Sequence, residues 1–143
     1  MEVLTQVIAA EEDELALVGE SNAPLDEWSG IEMPGLDTAK FAMLHCLLTE
    51  DTLQAALDRC QPVYVSENEN IVLRIADQVL AKLATFDADA LESVAVELVA
   101  TDEFEKAQWR AEDVLGLLTE LSELAQLAES QGQVLFVWMC VVR

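Results

Sequence analysis

The feature that most constrains the fold is the apolar run Val134–Val142, which follows a long amphipathic segment and a glycine. The run is rich in valine and far shorter than the ~20 residues of a membrane-spanning helix, so it predicts a buried strand in mid-sheet. Before it, apolar residues recur at helical spacing from about Ala111 to Ser130. Gly132 is well placed to end that helix in the left-handed conformation.

The first third of the chain contains two short elements and a long irregular stretch. Val3–Ile8 fits either a strand or the first turns of a helix, and the residues alone leave this open. Glu11–Val18 predicts a short helix with an acidic first turn, ended by Gly19. Residues 19–35 are rich in glycine and proline and predict an irregular loop.

The middle of the chain predicts a series of helices interrupted by one short strand. Asp37 can cap a helix through Thr49, and Asp51 or Thr52 can cap a short helix that extends to Leu57 and Cys60. Pro62–Val65 predicts a strand.

Two further helices are predicted after that strand. Ser66 with Glu69 has the spacing of a capping box for a helix containing Val72 and Leu83. Asp87 or Asp89 begins another helix, which runs to about Leu98.

One stretch resembles a known protein family. It is Leu36-Asp37, then Lys40-Phe41, then Leu44-His45, and finally Leu48-Thr49, and it is similar to the signature of the bacterial YfbM-like family, also called DUF1877. The likeness extends over most of the chain after Gly35. Phe41 stands where the family commonly has tryptophan, and Glu50 replaces the glycine after the threonine.

The resemblance implies an α+β fold and no activity that can be transferred. A strand near the N-terminus would join the later strands, which decides Val3–Ile8 in favour of a strand. We therefore expect a single domain spanning 1–143, with a small mixed sheet packed by about five helices.

Charge restricts the kinds of partner. The 143 residues include 28 Asp or Glu but only seven Lys or Arg, giving a net charge of −21, yet 52% of the residues are hydrophobic. Apolar content this high predicts a packed core inside an acidic surface. Such a surface disfavours direct binding to nucleic acid or to an anionic membrane, and favours a basic protein partner.

The candidate partner-binding residues are acidic positions and two tryptophans. Residues 1–39 contain ten acidic residues and no Lys or Arg. The predicted binding positions are Glu11, Glu12, Asp13, Glu14, Asp26, Glu27, Trp28, Trp109, Glu112 and Asp113. The Glu11–Glu14 run lacks the loop spacing of a calcium site, so it predicts a solvated face or a docking surface.

The residues give weaker support to a catalytic or metal-binding site than to a partner-binding surface. His45 is the only histidine and could be a base, a ligand or a buried structural group, while Asp37 and Lys40 could position a ligand or simply stabilise the helix start. Cys46 adjoins His45 but points ~100° away around the helix, so the two cannot form a dyad. One histidine with three scattered cysteines is a poor zinc ligand set, and no nucleotide-binding or hydrolase motif occurs. We expect no cofactor.

The sequence supports three hypotheses about function. The first is a cytoplasmic, non-catalytic immunity or inhibitor protein that covers the basic surface of a toxin or nuclease. The second is a small-molecule binder or enzyme with a cleft around Asp37, Lys40, Phe41 and His45. The third is a nucleic-acid mimic. The absence of a basic segment followed by an apolar stretch after Met1 argues against a signal peptide.

The charge imbalance gives the first prediction. Carboxylates without cationic neighbours repel one another, and salt screens that repulsion over roughly 8 Å at physiological ionic strength. We expect the melting temperature to rise between low and moderate salt, as measured by circular dichroism. A melting curve independent of salt would contradict this expectation.

Overall fold

The structure, a computed structural model, describes residues 2–21, 23–33, 38–59, 61–67 and 70–142. Its strands are β1 (Glu2–Ala10), β2 (Ser29–Glu32), β3 (Tyr64–Val65), β4 (Ile71–Arg74) and β5 (Val134–Val142). Its α-helices are α1 (Leu15–Glu20), α2 (Thr38–Thr49), α3 (Leu53–Arg59), α4 (Asp77–Thr85), α5 (Ala88–Val99), α6 (Asp102–Lys106) and α7 (Ala111–Ser130). Two 3-10 turns, Glu12–Glu14 and Pro24–Asp26, flank α1.

The strands form one sheet in the order β2-β1-β5-β4-β3. Each pairing in the described residues is antiparallel, rather than the expected mixture. At the centre, β1 and β5 pair over their whole length, from Glu2 opposite Val142 to Ala10 opposite Val134. The α+β class and the two long strands are therefore confirmed, and β5 lies in mid-sheet as its apolar run predicts.

Both faces of the central strands are buried. Alternating side chains of β1 and β5, such as Val7 and Val137, face a core built with α2, α4, α5 and α7. The intervening ones, such as Ile8 and Trp138, face a second, smaller core that includes Val18. Trp138 is 1% exposed, so the second face is covered as thoroughly as the first.

The segment that covers the second face carries a strong negative charge. We call residues 11–21 and 23–28 the acidic cap; it contains both 3-10 turns, α1 and the tryptophan Trp28. Leu15, Val18, Leu25 and Trp28 pack onto the sheet. Most of the long helices therefore pack against the first core, whereas the second core is covered by this short segment.

Two predictions about local structure are wrong. The expected loop at 19–35 contains the end of α1, a 3-10 turn and the strand β2. β2 lies at the edge of the sheet and pairs with β1, with Ile31 opposite Val7 and Gly30 opposite Ile8. Gly19 does not end α1, which continues to Glu20.

The expected helix after Ser66 is also different. Ile71–Arg74 is a strand, and the helix begins only at Asp77. Ser66 Oγ instead accepts a hydrogen bond from the Asn70 backbone N–H inside the turn that joins β3 to β4. Glu69, the other half of the predicted capping box, lies outside the described residues.

The other helix boundaries agree well with the sequence. Thr52 Oγ1 accepts a hydrogen bond from Ala55 N–H at the start of α3, and Asp87 caps α5 by accepting one from Ala90 N–H. Gly132 has a φ of 69°, as expected of a left-handed residue after α7. The five-residue helix α6 was not predicted. The proposed cap Asp37 and the residue Cys60 lie outside the described residues.

Across the described ranges, no helix is long and apolar enough to cross a membrane.

Two glycines give opposite predictions about stability. Gly116 lies on the exposed side of α7, and a Cβ added there would meet no atom within 4 Å. Gly116→Ala should therefore raise the free energy of unfolding by ~0.5–1 kcal/mol, because alanine loses less backbone entropy in a helix.

Gly19 is the matched control, because its Cβ would overlap the ring of Tyr64. Gly19→Ala should lower the free energy of unfolding. Urea denaturation monitored by circular dichroism measures both changes, and a neutral or destabilising Gly116→Ala would contradict the prediction.

Candidate functional site

The acidic cap brings together most of the predicted partner-binding residues. It has no Lys or Arg, and its carboxylates are Glu11, Glu12, Asp13, Glu14, Glu20, Asp26 and Glu27. All of them are exposed except Glu14, which is half-buried. The cap is therefore a continuous source of negative potential on one side of the sheet.

Specific contacts hold the cap in place. The indole Nε1–H of Trp28 donates to Glu14 Oε2 at 3.1 Å, which links the two ends of the cap. Arg74, on β4, places its Nε 3.0 Å from Glu12 Oε1 as an ion pair and donates from its terminal nitrogen to Asp77 at 3.0 Å. Glu12 and Glu14 are thus held against the sheet, and the backbone of the cap is anchored with them, which lowers the entropic cost of binding a partner.

Both predicted aromatic anchors pack partly inside the protein. Trp28 is half-buried in the second core. Trp109 is also half-buried and packs edge-on against Phe104, with ring centroids 5.4 Å apart and planes at 87°. Only part of each ring is therefore available to a partner.

Glu112 and Asp113 belong to a different part of the surface. They lie in the first turn of α7, where Asp113 accepts a hydrogen bond from the Arg110 backbone N–H. The other end of α7 leads into Val134, which is opposite Ala10 and so beside the acidic cap. Because α7 has 20 residues, the two acidic groups lie on the order of 30 Å apart.

The residues of the family-like motif are buried on α2. Lys40, Phe41, Leu44 and His45 are all buried, and Thr49 is the last residue of the helix. Lys40 has a partner in the folded chain. Leu36 and Asp37 lie outside the described residues, so whether Asp37 caps α2 stays a prediction.

His45 has a close acidic partner that sequence reasoning missed. His45 Nε2 lies 2.8 Å from Asp51 Oδ2, and the histidine side chain is 5% exposed. The hydroxyl of Thr49 donates to the His45 carbonyl oxygen and accepts from the Asp51 backbone N–H. These bonds connect the end of α2 to the loop before α3, which explains the pair without a ligand.

The cavity beside His45 is small. It measures about 30 Å³, enough for a water molecule but not for a metabolite. Apart from His45 and Arg74, its lining is mainly apolar, with Phe41, Leu73 and Val137 among the contributors. The described residues therefore give little support to a substrate cleft at this position.

Cys46 is also poorly suited to nucleophilic chemistry. Burial raises the pKa of its thiol, and the negative charge of Asp51 raises it further. The thiol is therefore protonated at neutral pH, whereas the thiolate is the reactive form.

Within the described residues, no group of three or more His, Cys, Asp or Glu side chains is arranged to hold a metal ion.

Among the residues that contact the acidic cap, Arg74 was the hardest to predict from the sequence. It was expected on a helix face, whereas its position on β4 lets it reach Glu12. The two residues are 62 positions apart, and nothing in their local sequence indicates the contact. Only the order of the strands brings them together.

Comparison with known proteins adds one structural likeness. No protein-family model matches the sequence, and no curated protein matches it significantly. Among solved structures, the chain is similar to the crystal structure of YfbM from Escherichia coli, described as a protein of unknown function. The TM-score is 0.49 and the identity 13%, over 95% of this chain and 99% of that one.

Glu50 provides a test of the motif region. Its φ is 62°, a left-handed conformation immediately after α2 in which a side chain is strained. Its N–H donates to the Cys46 carbonyl oxygen at 2.9 Å, as in a helix-ending turn that usually carries glycine. Glu50→Gly should raise the free energy of unfolding by roughly 1 kcal/mol, as measured by urea denaturation.

Glu97→Gly, inside α5, is the control for that substitution. It also removes one carboxylate, but glycine within a helix should destabilise the protein by about 1 kcal/mol. If Glu50→Gly destabilises the protein to a similar extent, the proposed strain at Glu50 is wrong.

Proposed function

We propose that this protein is a non-catalytic binding protein whose acidic cap covers the basic active surface of a toxin or nuclease, as an immunity or inhibitor protein does. The observation that carries the proposal is the concentration of carboxylates in a segment fixed to the sheet by Arg74 and by the Trp28–Glu14 hydrogen bond. The partner is a basic protein, and the complex forms in the cytoplasm.

The distribution of cations supports this choice of surface. Arg74 contacts the cap through one of its carboxylates, Glu12. Asp13 and Asp26 are exposed, and their charges face solvent. Enzymes that cleave nucleic acids need a basic surface to bind phosphates, so a rigid acidic surface is complementary to them.

Electrostatic attraction also suits the task of an inhibitor. Opposed fields can raise association rates to 10⁸–10⁹ M⁻¹s⁻¹ at low salt, which favours capture before the toxin acts. The mechanism requires contact only and no chemistry at His45.

Membership in the bacterial YfbM-like family is part of the proposal. The support is the motif on α2, where Phe41, Leu44 and His45 are buried as a helix-packing face and Glu50 adopts a conformation typical of glycine. Since the family implies no activity, the functional proposal depends on the surface of this chain alone.

The test combines capture, inhibition and charge variants. A basic protein retained at low salt from a lysate of the native host is purified, and its nuclease or toxic activity is assayed with increasing amounts of this protein. We expect inhibition to be complete at a 1:1 ratio. Asp13→Asn with Asp26→Asn should weaken binding roughly 3- to 30-fold, since exposed ion pairs contribute ~0.3–1 kcal/mol each.

Glu120→Gln with Glu123→Gln, in the middle of α7, is the matched control. Both pairs of substitutions remove two exposed carboxylates and change the net charge from −21 to −19. The α7 variant should bind within about twofold of the wild type. Equal weakening by the two variants, or a captured protein whose activity is unchanged, would contradict the proposal.

A further inference from the structure

We propose that the free edge of β3 binds an extended, basic segment of the partner as an additional strand of the sheet. This inference rests on the proposed function, because it names where and how part of the basic partner attaches. It concerns residues 63–67, beside the acidic cap but outside it.

The backbone of β3 has hydrogen-bonding groups available for a further strand. β3 is the last strand of the sheet in the described residues. Val65 pairs with Ile71, while the next residue, Ser66, donates its N–H to the Asn70 carbonyl oxygen at 2.9 Å. In an antiparallel ladder this makes Val65–Ile71 a non-hydrogen-bonded pair, so the N–H and C=O of Val65 point away from β4.

The same edge displays apolar side chains. Val63 and Val65 are 47% and 61% exposed, and Leu17, on the helix that packs against β3, is 62% exposed. These are three of the four large hydrophobic side chains that the described part of the chain exposes. Val63 and Val65 lie two residues apart at this edge, so they give it a local apolar surface.

Acidic groups flank this apolar edge. The Tyr64 hydroxyl donates to Glu20 Oε1 at 2.5 Å, which fixes that carboxylate of the cap beside β3. The hydrogen bond to Glu20 raises the pKa of the Tyr64 phenol, and the charge of Glu67 acts in the same direction, so both carboxylates are near the ring. The edge therefore offers a backbone ladder, two valines and at least two negative charges.

These features select the chemistry of the occupant. Peptides that extend a sheet bind through main-chain hydrogen bonds and are chosen by alternate side chains. Here the complementary segment has apolar side chains toward the valines and Lys or Arg toward Glu20 and Glu67. A second copy of this chain fits poorly, because edge-to-edge pairing would bring together two molecules of net charge −21.

The experiment uses an end-blocked peptide of alternating lysine and valine, about seven residues long, and the same peptide with glutamate in place of lysine. Binding is measured by calorimetry at low salt. Val65→Pro removes the outward N–H while leaving the hydrogen bonds to β4, since proline is tolerated on a strand edge. Val65→Thr keeps the N–H and the branched shape and is the control.

We expect the lysine peptide to bind and the glutamate peptide not to bind. Val65→Pro should weaken binding about fivefold, the loss expected for one backbone hydrogen bond, and Val65→Thr should stay within about twofold. In the wild type, the peptide should also slow hydrogen exchange of the Val65 amide. This measurement tests the proposal even if Val65→Pro does not fold.

Equal binding by Val65→Pro and the wild type, unchanged exchange at Val65, or no binding of the lysine peptide would overturn the strand-addition proposal. So would a dimer in sedimentation that Val65→Pro abolishes, because a second copy would then cover the edge. Inhibition of the captured partner that depends on Asp13 and Asp26 but not on Val65 would leave the proposed function standing and remove only this inference.

Discussion

The pairing of β1 with β5 is the interaction on which the rest of the structure depends. The two strands match residue for residue over nine positions each, and apart from Thr5 and Gln6 the side chains that they bury, on both faces, are apolar. A ladder of this kind must be covered twice, because either exposed face would leave a large apolar surface in water. The long helices cover one face, and the acidic cap is present because the other also needs a cover.

This requirement explains how a chain so acidic folds compactly. The cap uses Leu15, Val18 and Leu25 to contact the sheet and keeps its carboxylates on the outer side. Arg74 and Trp28 offset part of the repulsion by binding Glu12 and Glu14. The charge is therefore displayed by an element that the core itself holds in place, which is the property that an electrostatic docking surface needs.

Elements whose signals are local could be predicted from the sequence. The Asp87 cap, the apolar face of α7, the left-handed Gly132 and the run that forms β5 each act within a few residues of one another. The strands β2 and β4 could not be predicted, because Ser29–Glu32 and Ile71–Arg74 have four residues each and become strands only by pairing with β1 and β5.

In the candidate site, too, features with a local sequence signal could be predicted, and contacts between distant residues could not. The acidic run Glu11–Glu14 was identified from composition, whereas its ion pair with Arg74 required the order of the strands. The His45–Asp51 contact depends on the loop that follows α2, whose path changes at the left-handed Glu50. The edge at Val65 was missed because exposure in a two-residue strand has no periodic signal.

The central ladder also determines when this protein can fold. It joins residues 2–10 to residues 134–142, so β1 has no central neighbour until nearly the whole of this sequence has left the ribosome. Contacts between such distant positions close large loops and slow folding. During synthesis the helical segments and the short β1–β2 pairing can form first, while the other edge of β1 stays open to aggregation or to chaperones until β5 is made.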